Sequence, residues 1–132
     1  MIKKVDHLGV VVRDLDSAVK FYENVIGLKV GRLMNSDAAK MRMAFLAVGD
    51  FHFEILESTD PEGLIARYIK EKGEGLHHIC LEVEDLEDTM SAMKSKGARF
   101  IDENPMPVAD GRIVFLSPES TFNMLIELKQ YF

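Results

Sequence analysis

Cysteine is almost absent from this chain: Cys80 is the only one in 132 residues. No intramolecular disulfide and no cysteine-built zinc cluster can form, and a reducing cytoplasm is the compartment that suits such a chain. Runs of lysine and arginine are also absent, and the formal charge is -6. Phosphate neutralisation needs clustered cations, so nucleic acid is not expected as a partner. No apolar stretch is long enough to cross a bilayer. The opening Met1-Ile2-Lys3-Lys4 passes too soon into polar positions to serve as a secretory signal. What is present is ordinary for a globular protein, with 47% hydrophobic and 29% charged residues. One domain over 1–132 is expected. Because a small domain buries a modest share of its surface, a homodimer is expected as well.

The chain repeats itself. Asp6-His7-Leu8-Gly9-Val10-Val11-Val12-Arg13-Asp14-Leu15 lies over His77-His78-Ile79-Cys80-Leu81-Glu82-Val83-Glu84-Asp85-Leu86 at a displacement of 71 (78 minus 7). Each copy begins as an extended run and reaches an aspartate, Asp14 or Asp85, suited to capping a helix. Leu15, Ala18, Val19, Tyr22, Val25 and Ile26 recur at helical spacing before Gly27, and Leu86, Met90 and Met93 do so before Gly97. Short strands are predicted next, at 28–33 and 98–101. Later, Met43-Ala44-Phe45-Leu46 parallels Ile113-Val114-Phe115-Leu116, and Phe53-Glu54-Ile55-Leu56 parallels Ile126-Glu127-Leu128-Lys129. Each half therefore reads β-α-β-β-β. Module one is placed at about 1–58, a linking helix capped by Asp60-Pro61 at about 60–72, and module two at about 75–132. The stretches 35–40 and 103–111 read as irregular loops able to cover a binding site.

Strand alternation puts His7, Gly9 and Val11 on one face, His78 with Cys80 and Glu82, and Glu54 with His52 and Leu56. Taken singly, each histidine reads as an ordinary strand residue. At matching places of two repeats, His7, Glu54, His78 and Glu127 read as one constellation. Two imidazoles and two carboxylates suit a single divalent ion of Co, Ni, Mn, Fe or Zn. Asp6 stands beside His7 and could orient it, His77 is expected to point the other way, and His52 to be exposed or to support the ligands.

The run from Val5 to Leu15, with Phe21-Tyr22 and Gly27-Leu28, resembles the vicinal-oxygen-chelate superfamily of glyoxalases, extradiol dioxygenases and bleomycin-resistance proteins. Gly73-Glu74-Gly75-Leu76-His77-His78-Ile79 and Leu125-Ile126-Glu127-Leu128 look most like its methylmalonyl-CoA epimerases. The resemblance covers nearly the whole chain. It implies an α+β fold, with two tandem βαβββ modules forming a curved mixed sheet around a metal-binding cleft and helices outside. It also implies a metal held by His7, Glu54, His78 and Glu127, and a small-molecule substrate such as an acyl-CoA. The implied reaction abstracts the proton next to a thioester carbonyl through a metal-stabilised enolate, with Glu127 as one proton carrier. The family's second carrier is a loop glutamate, whose place falls on Ala38-Ala39-Lys40, so the neighbouring Asp37 becomes the candidate. Ser117-Pro118 replaces the family's His-Pro, and Phe122-Asn123 its Gly-Gly, which implies an altered substrate pocket. Two further activities stay open: a glyoxalase-like lactoylglutathione lyase, and a non-catalytic binding or resistance protein of the same fold.

Overall fold

The computed structural model describes residues 1–132, which divide into two compact units, 7–77 and 1–6 with 78–132. Strand β1 (Ile2–Val11) contributes its first residues to one unit and the rest to the other.

In the unit 7–77, β1 is followed by α1 (Leu15–Phe21), β2 (Lys29–Ser36), β3 (Met41–Val48), β4 (Phe51–Ser58) and α2 (Leu64–Lys72). Its sheet runs β2-β3-β4-β1, with β1 and β4 parallel and the other pairs antiparallel. Asp14 caps α1 as expected, its carboxylate accepting from the Ser17 N–H at 3.1 Å. The helix stays α only to Phe21, and a wider π turn, Tyr22–Ile26, completes it before Gly27 at φ 87°. That turn presents the Tyr22 ring edge-on to Phe53, 5.9 Å between centroids. Leu15, Ala18, Val19 and Tyr22 then cover Ala44, Leu46, Ile55 and Phe53, all on one face of the sheet. The linking helix starts three residues later than its sequence signals suggest. Asp60 commits its carboxylate to the Glu62 N–H and its carbonyl to the Gly63 N–H, which closes a turn, and Gly63 becomes the cap of α2. Ile65 and Ile69 of α2 pack on Val11, Met43 and Leu56, on the face opposite α1.

The second unit repeats the order with β5 (Gly75–Val83), α3 (Leu86–Ser95), β6 (Met106–Val108), β7 (Gly111–Phe115) and β8 (Ile126–Tyr131). Its strands lie in the order β1-β5-β8-β7-β6. Asp85 caps α3 through the Asp88 N–H at 2.8 Å, and Leu86, Met90 and Met93 bury one face of the sheet at Val114, Leu116 and Leu128. The strand expected at 98–101 is reduced to one bridge, Phe100 with Leu116. Ser117 and Ile101 donate backbone hydrogen bonds there, to Arg99 and Phe115, after which Pro105 has no N–H to give. The ladder resumes at Met106 opposite Ile113, inside the stretch 103–111 that the sequence suggests is a loop. The stretch 35–40 is likewise mostly structured, as the end of β2 and a tight turn into β3. No helix is long and apolar enough to cross a membrane.

The two units use their second faces differently. Where Val11, Leu56 and Met43 meet α2, the equivalent places of the other unit hold Glu82, Lys129 and Ile113. Glu82 pairs with Lys3 at 2.8 Å, and Lys129 with Asp110 at 2.9 Å.

Candidate metal centre

Strand register decides which polar side chains meet. In the unit 7–77, His7 stands opposite His52, Gly9 opposite Glu54, and Phe45 opposite Glu54 from the other side. Paired residues share a face, so these side chains rise on the face opposite α1, and Gly9 leaves room above the sheet. His7 is buried and brings Nε2 to 3.3 Å from Oε2 of Glu54. His52 approaches the same oxygen at 3.6 Å, and its ring lies between His7 and Phe45, with centroids 5.1 and 5.5 Å away. The sequence suggests no more for His52 than an exposed or supporting role. The structure makes it the third member of a His7-His52-Glu54 cluster whose donor atoms all lie within 4.8 Å of one another. The signal for it is the i, i+2 spacing to Glu54.

The second unit builds the same pair from equivalent positions. Cys80 stands opposite Glu127 on parallel strands, and Phe115 stands opposite Glu127 from β7. His78 Nε2 lies 3.4 Å from Oε2 of Glu127, and both residues are buried, 5% and 6% exposed. The Phe115 ring meets His78 edge-on at 6.0 Å, whereas Phe45 meets His52 at a tilt in the other unit. Burial first, and then the nearby charges of Glu127 and Asp6, push the Cys80 thiol far above its ordinary range. It is therefore a protonated hydrogen-bonding partner of Glu127 and not a nucleophile. Asp6 is buried and accepts the Tyr131 hydroxyl at 2.7 Å. Burial and that hydrogen bond raise the Tyr131 pKa, which keeps the phenol protonated.

His77, which the sequence does not suggest as a participant, and Asp37, which it does, both lie elsewhere. His77 packs edge-on against Tyr68 of α2 at 4.6 Å, and burial followed by the charge of Lys72 lowers its pKa. Asp37 sits exposed in the β2–β3 turn. That hairpin closes at Ser36 with Met41, and Met41 lies four residues along β3 from Phe45, about 13 Å from the row that holds Glu54. The structure brings His7 to Glu54 and His78 to Glu127, and it does not bring Asp37 to the His7–Glu54 pair.

The donor chemistry of each pair suits a divalent cation. Two adjacent ligands bonded at about 2.1 Å stand roughly 3.0–3.4 Å apart, for right-angle to tetrahedral bond angles. The Nε2–Oε2 distances of 3.3 and 3.4 Å match that spacing. A neutral imidazole nitrogen and a carboxylate oxygen are ligands for Zn, Fe, Co, Ni or Mn alike.

The profile of the Glyoxalase/Bleomycin resistance protein/Dioxygenase superfamily matches residues 6–115. The mitochondrial methylmalonyl-CoA epimerase of Bos taurus is 31% identical over 129 residues, covering 96% of this chain and 74% of the bovine protein. Among solved structures, a hypothetical protein of Bacillus halodurans superposes with a TM-score of 0.94 at 31% identity, over 98% of this chain and 94% of that one. A single-residue variant of the Streptomyces coelicolor methylmalonyl-CoA epimerase, in complex with 2-nitronate-propionyl-CoA, superposes with a TM-score of 0.88 at 27% identity, over 99% of both chains.

Proposed function

The chain belongs to the glyoxalase/bleomycin resistance protein/dioxygenase superfamily, and from that premise we propose that it is a metal-dependent isomerase that moves the proton on a carbon beside a thioester carbonyl. One observation carries the reading: a His–Glu pair with a buried histidine recurs at equivalent strand positions of two repeats, each beside a phenylalanine. In this reading His7, Glu54, His78 and Glu127 hold one divalent cation, which when bound stabilises negative charge as it develops on the carbonyl oxygen. The 2-nitronate-propionyl-CoA bound by the Streptomyces relative and the epimerase activity named for the bovine one support a small acyl thioester as substrate.

Glu127 removes or returns the proton on one face of the carbon. Its carboxylate is fixed by its strand register, by His78 and by the Cys80 thiol, so little reorganisation is needed at the moment of transfer. Inversion needs a second carrier. Asp37 is the one carboxylate in the β2–β3 turn, and its place beside the family's loop glutamate makes it the candidate for that role in this reading.

The test follows the α-hydrogen of methylmalonyl-CoA in deuterated water with metal-loaded protein. Wild type is expected to exchange and racemise it, and Glu127→Gln to lose at least about a hundredfold in rate, the usual scale for a positioned acid–base group. Asp37→Asn should still exchange one epimer while racemisation falls. Exchange by wild type no faster than by Glu127→Gln would end the isomerase reading.

A further inference from the structure

Strand β2 carries an irregularity on the edge of the unit 7–77. Val30 stands opposite Leu46, yet Arg32 stands opposite Phe45, so two steps along β2 match one step along β3 and Gly31 is the extra residue of a bulge. The consequence is a reversal of facing. Simple alternation from Val30, which packs beneath α1 with Leu46, would put Arg32 on that same covered side. The bulge turns Arg32 onto the opposite face, in one row with Phe45, Glu54 and Gly9. Its guanidinium carbon lies 4.5 Å from the centroid of the Phe45 ring, a cation–π contact that fixes where the charge stands.

That charge has no anion. Three other cations of the unit are held by carboxylates: Arg42 by Asp16 and Glu57, Arg13 by Glu74, Lys40 by Asp60. Arg32 is exposed and meets only the Phe45 face. The corresponding strand of the other unit, β6, has three residues and its pairing with β7 begins at Ile113, two residues short of Phe115, so it offers no second cation in the equivalent row. A bulge that re-aims a planar, always charged fork toward a ligand face, beside a phenylalanine that neighbours Glu54, is a device for recognising a planar anion.

We propose that Arg32 is a specificity-determining residue that binds a carboxylate carried on the acyl part of the substrate. The proposal rests on the thioester reading above. Arg32 is two strands from Glu54, roughly 10 Å between their backbones, with its side chain returning over the strand between them. A group reaching it sits within a few carbons of the reacting carbon. The phosphates of a coenzyme A tail lie a whole pantetheine arm away. An acyl-CoA with a free carboxylate is therefore preferred over one without.

Calorimetric titrations of metal-loaded protein with methylmalonyl-CoA and with propionyl-CoA, which lacks the carboxylate, test this. Wild type is expected to bind the first more tightly. Arg32→Met, which keeps an apolar contact with Phe45, should weaken methylmalonyl-CoA about tenfold or more and leave propionyl-CoA unchanged, the size of a lost charge-assisted hydrogen bond. Arg32→Lys should restore part of the loss. Equal weakening of both esters would place a tail phosphate at Arg32 and overturn the proposal, as would no change in either. A titration with malonate alone, followed at the arginine Nε–H by NMR, needs no coenzyme. A saturating shift that is lost in Arg32→Met supports the carboxylate site even if wild type exchanges no α-hydrogen or binds neither ester, and no shift overturns it. Failure of the isomerase reading and failure of the Arg32 assignment are thus read separately.

Discussion

At the scale of single residues, the two His–Glu pairs were legible because two independent regularities coincide on them. His7 and His78 share a displacement of 71, and strand alternation gives each a face in common with a glycine or cysteine two residues on. What alternation could not give was distance, since whether Glu54 reaches His7 or His52 depends on the β1–β4 register and on rotamers. It reaches both. Cys80 shows a buried residue whose chemistry is set by its neighbours: fully enclosed, next to Glu127, and protonated. Since the thiolate is the reactive form, a disulfide reagent such as DTNB is expected to leave the native protein unlabelled and to titrate one thiol after denaturation. Rapid stoichiometric labelling of the folded protein would refute this placement.

At the scale of elements, helices with aspartate caps were readable because a cap is a local device: Asp14 and Asp85 each sit three residues before the N–H they accept. Non-local geometry was less readable. The one local mark of the bulge is Gly31 itself, a lone glycine within a strand, and the bulge reverses the face of Arg32. The edge strand β6 lies at Met106–Val108 instead of 98–101 because Pro105 interrupts the ladder, while Phe100 is drawn into the core beneath α3. At Gly111, the start of β7, the constraint is close backbone approach. A Cβ there would run into the Gln130 carbonyl oxygen on β8. Gly111→Ala is therefore expected to destabilise the fold by about 1–3 kcal/mol, the range for overpacking, read as a lower urea midpoint with the same m-value. An unchanged midpoint would mean that β7 and β8 separate more easily than their register indicates.

At the scale of the whole molecule, the repeat is the organising fact. Each unit, described alone, supplies one imidazole and one carboxylate, with a helix covering the far side of its sheet. The linking helix was legible from Leu64, Ile65, Tyr68 and Ile69, though not its late start, because the Asp60 turn competes with the helix for the same backbone donors. The missing family glutamate is a departure in a turn, where substitution costs the fold least.

The central proposal, that both pairs serve one cation, is tested most directly by metal content per chain. Purified protein is reconstituted with cobalt, dialysed, and measured by elemental analysis beside His7→Ala and His78→Ala. One ion per chain is predicted for wild type, and substoichiometric metal for each variant, although the two residues belong to different units. Two ions per chain in wild type, with one retained in each variant, would show two separate sites and contradict it.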